Sequence, residues 1–179
     1  MKKMMVLGAA VATCLSCASY GDGNSSKLKA MDAQVAAMST CEKIKGLIAG
    51  HGNGFPALKM QKTNARLMDV WKARYNLVGD SCQVWSWGKG QTSYMCALSS
   101  PNRETAMEYY DKAKQVTAEC VGAEWTLKEG ARELGEGMKA QFSHAGTKTV
   151  VGVHAVSTPG LFKSEWTTYY FVGHPSDAL

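Results

Sequence analysis

The sequence lacks the short motifs that mark the common catalytic sites. It contains no G-x-S-x-G nucleophile elbow, no H-E-x-x-H zinc motif, no P-loop and no EF-hand loop. Gly88-Lys89-Gly90 lacks the glycine spacing that a P-loop requires and is typical of a turn. The sequence therefore gives no positive indication of an enzyme, and it predicts neither a cofactor nor a metal site.

The sequence also lacks a strong charge of either sign and, after its first residues, a long hydrophobic run. Its 20 Lys and Arg residues and 15 Asp and Glu residues are spread along the chain, without the clustered basic face of a nucleic-acid-binding protein. No later apolar run approaches the length of about 20 residues that a transmembrane helix needs. We therefore expect no nucleic-acid partner, and no membrane contact except through a lipid anchor.

The N-terminal segment, residues 1–18, has the pattern of an export signal. Lys2-Lys3 gives it a positive start and Met4–Ala12 is apolar. Ser16 and Ala18 occupy the −3 and −1 positions of a cleavage site after Ala18. Together with a possible lipobox, this short basic signal indicates a bacterial source and predicts a location in the periplasm.

Two cysteines in this segment leave lipid attachment open as an alternative. A bacterial lipobox usually has Leu at −3, a small residue at −2, and Gly or Ala at −1. Cys17 follows Leu15-Ser16, so the leucine is one place late, and Cys14 follows Thr13, an unusual −1 residue. Lipidation of either cysteine would place the protein at the outer membrane instead of free in the periplasm.

Four cysteines remain after such a cleavage: Cys41, Cys82, Cys96 and Cys120. An even number of cysteines in an exported protein predicts two disulfides. A four-cysteine zinc site is disfavoured because structural zinc usually needs close C-x2-C pairs, and none is present among the four.

The order of hydrophobic patterns predicts an α+β fold. Leu28, Met31 and Val35 recur at helical spacing, and Ser39 with Glu42 forms a capping box that starts a helix. Ser99-Ser100-Pro101 is typical of a helix start, and a long apolar face follows it as far as Gly122. Strands are predicted at 71–77, 82–87, 91–98, 137–143, 148–157 and 164–172, with a weaker one at 123–128.

This order has no regular strand–helix alternation, so a parallel sheet is not expected. We predict one disulfide-stabilised α+β domain over residues 28–179, preceded by a flexible polar leader at 19–27. The long helix packs on one face of its antiparallel sheet, and the domain also contains the N-terminal helix.

Residues 82–87 and 91–98 form the clearest local pattern, two strands joined by the turn at Gly88-Lys89-Gly90. A hairpin centred on Lys89 places Cys82 directly opposite Cys96, at a separation that a disulfide can bridge. Cys41 would then pair with Cys120. Two other pairings stay open: Cys41–Cys82 with Cys96–Cys120, and Cys41–Cys96 with Cys82–Cys120.

Trp85 and Trp87 share one face of this hairpin, and Val84 and the two cysteines share the other. If the face with Val84 and the cysteines packs against the core, both tryptophans point outward beside Lys89. Paired exposed aromatic side chains of this kind suit the binding of a partner. The alternative is that the tryptophans themselves pack under the long helix.

These patterns favour a small exported binding protein that associates stoichiometrically with another protein, for example as an inhibitor or an immunity protein. An envelope hydrolase with an unrecognised site near His144 and His154 is one alternative. A structural or assembly lipoprotein of the outer membrane is another.

Overall fold

The computed structural model describes residues 22–64, 67–87, 90–160 and 164–174. The predicted signal segment, including Cys14 and Cys17, lies outside the described residues, and so does Lys89.

Three helices and eight strands make up the described chain, and they are numbered in chain order. The helices are α1 (Asp22–Ala37), α2 (Thr40–His51) and α3 (Arg103–Val121). The strands are β1 (Lys59–Asn64), β2 (Asp69–Ala73), β3 (Ser81–Trp87), β4 (Gln91–Ser100), β5 (Thr126–Ala131), β6 (Gly137–Ser143), β7 (Val150–Thr158) and β8 (Glu165–Gly173).

All eight strands belong to one antiparallel sheet in the order β1-β2-β3-β4-β8-β7-β6-β5. Each half of the sheet is a four-strand meander preceded by a helix, α2 for the first and α3 for the second. The last strands of the two meanders, β4 and β8, pair at the centre, where Cys96 lies opposite Tyr170. The predicted α+β class with an antiparallel sheet is confirmed.

Helices α2 and α3 pack on the same face of the sheet and contact each other. Helix α3 lies over the central strands, and Thr168 Oγ1 on β8 donates a 3.0 Å hydrogen bond to the carbonyl oxygen of Ala106. Burial of apolar surface between the helices and this inner face forms the core. Its fully buried side chains include Ile44, Leu47, Phe55, Val84, Tyr94, Tyr110, Phe142, Val151, Val153 and Val172.

The helix starts follow capping chemistry. At α2 the predicted capping box is present, because the Glu42 amide donates to Ser39 Oγ at 3.3 Å and the Ser39 amide donates to the Glu42 carboxylate at 2.7 Å. At α3 the cap is Asn102, not a serine, because β4 extends to Ser100. The Asn102 side chain accepts from the Thr105 amide at 2.9 Å.

The structure differs from the sequence pattern most clearly at four places. Residues 22–27 are helical, where the pattern predicted a flexible leader. Strand β1 lies at Lys59–Asn64, where the sequence pattern predicted no strand. Strand β2 ends at Ala73, short of the predicted residue 77, and the weak strand at 123–128 is β5, which begins at Thr126.

Both disulfides of the preferred pairing are present, Cys41–Cys120 and Cys82–Cys96, and the two other pairings are wrong. The first joins the start of α2 to the end of α3, and the second joins β3 to β4 beneath the helices. Two disulfides indicate an oxidising, exported environment. No helix among the described residues is long and apolar enough to cross a membrane.

Candidate functional site

Trp85 and Trp87 lie on the outer face, the face of the sheet opposite α2 and α3. Cys82 and Val84 of the same strand are buried on the inner face, so strand alternation places both tryptophans outward. Both indoles are half-buried, and their ring centroids are 5.8 Å apart in an edge-to-face arrangement. Trp85 Nε1 donates a 2.7 Å hydrogen bond to Gln83 Oε1, which fixes the orientation of its ring.

The two indoles adjoin buried apolar side chains on the neighbouring strands. Across the sheet, Val70 on β2 lies opposite Trp85, and on the central strands Met95 lies opposite Phe171. Val70, Met95 and Phe171 are all buried. The sequence did not indicate the contact between Met95 and Phe171, because it depends on the pairing of β4 with β8, which are far apart in the chain.

The outer face is positively charged. Lys72 on β2, Lys128 on β5 and Lys139 on β6 project from it, as the strand pairings show. Among the outward-facing side chains of the described strands, Glu165 at the end of β8 is the one acidic residue. Lys139 is paired with Glu133 at 2.7 Å, and Glu133 also lies near Lys128. Lys72, on the strand next to Trp85, is therefore the cation that a ligand beside the indoles would meet.

The histidines suggested for hydrolysis are not brought together. His154 on β7 lies opposite Lys139 of β6, and Lys139 is five positions before His144 in the chain. The ring of His154 is buried edge-on against Phe171, whereas His144 Nδ1 accepts a 3.0 Å hydrogen bond from the Gly146 amide in the β6–β7 turn. Within the described ranges, no three His, Cys, Asp or Glu side chains are arranged to hold a metal ion.

Buried tyrosines beside the hairpin are suited to structural hydrogen bonding. Tyr94 Oη donates to the Tyr75 carbonyl oxygen at 3.0 Å and accepts from the Leu77 amide at 3.2 Å. Burial raises the pKa of Tyr75 to about 12, and it also raises the pKa of Tyr94 and Tyr170. These phenols therefore stay protonated near neutral pH. Tyr94 connects β4 to the segment after β2, and Tyr75 Oη donates to the Lys43 carbonyl oxygen of α2.

The fold and this surface define the class of the molecule. It is a disulfide-bonded α+β protein with helices on one face of its sheet, and with the Trp85–Trp87 pair and exposed lysines on the other. No protein-family model, no curated protein and no solved structure matches the chain.

Proposed function

We propose that this protein is an exported binding protein of the bacterial envelope that associates with an acidic protein through the outer face around Trp85 and Trp87. The observation that carries the proposal is the pair of half-buried indoles on the outer face, with Lys72 exposed on the neighbouring strand. Tryptophan is enriched among the residues that dominate binding energy at protein interfaces.

Charge complementarity supports an acidic partner. Lys72 is exposed on the strand next to Trp85, on a face whose described strands contribute only Glu165 as an acidic side chain. Like charges opposed across an interface disfavour association, and opposite charges accelerate encounter. A second copy of this basic face would be repelled, so the proposed partner is a different protein.

An inhibitor or immunity protein is the form of this activity that we favour, because such proteins act by stoichiometric association. The proposed location is the periplasm, or the outer membrane if Cys14 or Cys17 carries a lipid. Export is supported by the signal pattern and by the two disulfides.

Replacing the indoles tests the proposal directly. We expect Trp85→Ala and Trp87→Ala to weaken a stoichiometric complex isolated from the periplasm by at least tenfold in Kd, since hot-spot tryptophans contribute about 2 kcal/mol or more. Leu134→Ala is the matched control, because Leu134 is an 80 % exposed apolar side chain outside the sheet strands. Affinity is measured by calorimetry on variants whose circular dichroism is unchanged.

Charge reversal distinguishes specific docking of an acidic partner from nonspecific association through the apolar indoles. Lys72→Glu should slow association and reduce its salt dependence, whereas Lys45→Glu on the exposed side of α2 should not. A partner that binds equally well after the tryptophan and lysine changes would contradict the proposal. So would a complex that forms only with acidic lipid or glycan.

A further inference from the structure

A cavity of about 280 Å³ lies on the helix side of the molecule, away from the outer face. It is half-open to solvent and is lined by α2, α3, the segment that follows β2, and the inner faces of β4 and β8. Its walls are mainly apolar, formed by Ile44, Leu77, Val78, Leu98, Ala113 and Val116.

Polar groups lie at two ends of this cavity. At the deep end, the hydroxyls of Thr117 and Tyr170 are 3.2 Å apart, and Thr117 Oγ1 donates to the Ala113 carbonyl oxygen at 2.7 Å. These groups satisfy each other, so they do not require a polar ligand atom. At the rim, Lys112 is exposed and makes no ion pair with another described residue.

The walls of the cavity are held in place before any ligand arrives. The Cys41–Cys120 disulfide ties α2 to α3 one turn beyond Thr117. On the opposite side, Gly79 has φ +64°, and a Cβ there would lie 3.1 Å from the Ala97 carbonyl oxygen. The segment after β2 can therefore lie directly on β4. Such preorganisation lowers the ordering cost of binding.

We infer that this cavity binds a small amphipathic carboxylate, with its apolar group between the two helices and its carboxylate at Lys112. An apolar cavity of about 150 Å³ accepts benzene, so this one suits an apolar ligand of roughly ten non-hydrogen atoms. A lysine at the rim of an apolar pocket selects an anionic head group and leaves the apolar part to enter. The inference is independent of the proposed partner, which would use the other face of the sheet.

Titration of the isotope-labelled full chain with 4-phenylbutyrate, followed by amide NMR shifts, tests this inference. We expect saturable shifts confined to the elements that line the cavity, which are α2, α3, residues 77–79 and the parts of β4 and β8 around Leu98 and Tyr170. The uncharged alcohol 4-phenylbutanol should bind more weakly and 4-phenylbutylamine weakest, because Lys112 attracts only the anion. No saturable shift at millimolar ligand, or equal binding of the acid and the amine, would overturn the inference.

Two substitutions locate the binding. Lys112→Glu should weaken 4-phenylbutyrate binding about three- to tenfold. Lys45→Glu should leave it unchanged, because Lys45 is an exposed lysine of α2 that does not line the cavity. Ala113→Leu should abolish binding by filling the cavity. If Ala113→Leu does not fold, Lys112→Glu still decides, since unchanged affinity in that variant refutes the assigned position of the carboxylate.

Discussion

At the scale of single residues, one glycine allows the Phe171 ring to pack against the outer face of the sheet. Gly152 on β7 lies opposite Phe171 on β8, and the Phe171 ring covers the glycine backbone. A Cβ built at position 152 would lie 2.0 Å from a ring carbon of Phe171. Only glycine therefore permits this ring position, which in turn places Phe171 beside Met95.

Gly152→Ala should destabilise the protein by about 1–3 kcal/mol, the usual cost of forcing an extra methyl group into a packed site. Urea unfolding measures the loss. Gly130→Ala on edge strand β5 is the matched control, because a Cβ at Gly130 meets no atom within 4 Å. Equal stability of the two variants would show that the Phe171 ring moves without cost.

Residue chemistry predicted part of the candidate site. Alternation along β3 correctly placed Trp85 and Trp87 together, opposite Cys82 and Val84. It left open which of the two faces meets the helices, because both carry large apolar groups. The choice depends on the packing of α3 against the inner face, which no local pattern in β3 encodes. The partner-binding role of the two tryptophans stays a prediction.

At the scale of elements, edge strand β5 is tied to α3 by a polar cluster around Glu129. Its Oε1 accepts hydrogen bonds from Tyr110 Oη at 2.8 Å and from Lys114 Nζ at 2.7 Å. The hydrogen bond from Lys114 is the main cause of the lowered pKa of Glu129, while burial is the main cause of the raised pKa of Tyr110. The ionised carboxylate therefore fastens the edge of the sheet to the helix.

This cluster should make stability depend on pH in the acid range. Because the folded-state pKa of Glu129 is lowered, its contribution is present above the unfolded-state pKa of about 4.3 and is lost as pH falls through the folded value. Glu129→Gln should cost about 0.5–1 kcal/mol at pH 7, the range for partly exposed ion pairs, and the difference should shrink by pH 3. Urea unfolding at both pH values measures it. A difference that stays constant would contradict this account.

Element prediction succeeded where contacts are local and failed at one sheet edge. The β3–β4 register was predicted from the turn alone, and it is confirmed by the pairing of Cys82 with Cys96. Strand β1 was missed because its sequence is polar and does not alternate. It forms through pairing with β2, and Lys59 and Lys62 place their ammonium groups 4.1 and 5.5 Å from the Trp71 ring centre. Those contacts cannot be seen in a six-residue pattern.

At the scale of the whole molecule, the two disulfides act over different lengths of chain. Cys41 and Cys120 are 79 positions apart and connect the helices that precede the two meanders. Cys82 and Cys96 are 14 positions apart within one hairpin. A cross-link that closes a longer loop removes more freedom from the unfolded chain, so the bond between the helices should contribute more to global stability.

Removing each bond in turn tests this difference. By the loop-entropy account, Cys41→Ala with Cys120→Ala should lower the free energy of unfolding by roughly 4 kcal/mol, and Cys82→Ala with Cys96→Ala by roughly 3 kcal/mol. Calorimetry and urea unfolding of both double variants provide the comparison. A larger loss from the hairpin pair would mean that packing of the buried sulfurs outweighs loop closure.

The two bonds are nested, since the Cys82–Cys96 loop lies inside the span of Cys41–Cys120. A chain threaded through a secretion channel from its N-terminus delivers its cysteines in sequence order. Oxidation at the moment of emergence would join Cys41 to Cys82, a bond that the folded protein does not contain. Correct maturation therefore requires either that oxidation waits for the hairpin, or that an early bond is reshuffled by thiol–disulfide exchange. The timing of oxidation during secretion thus becomes part of what this sequence must control.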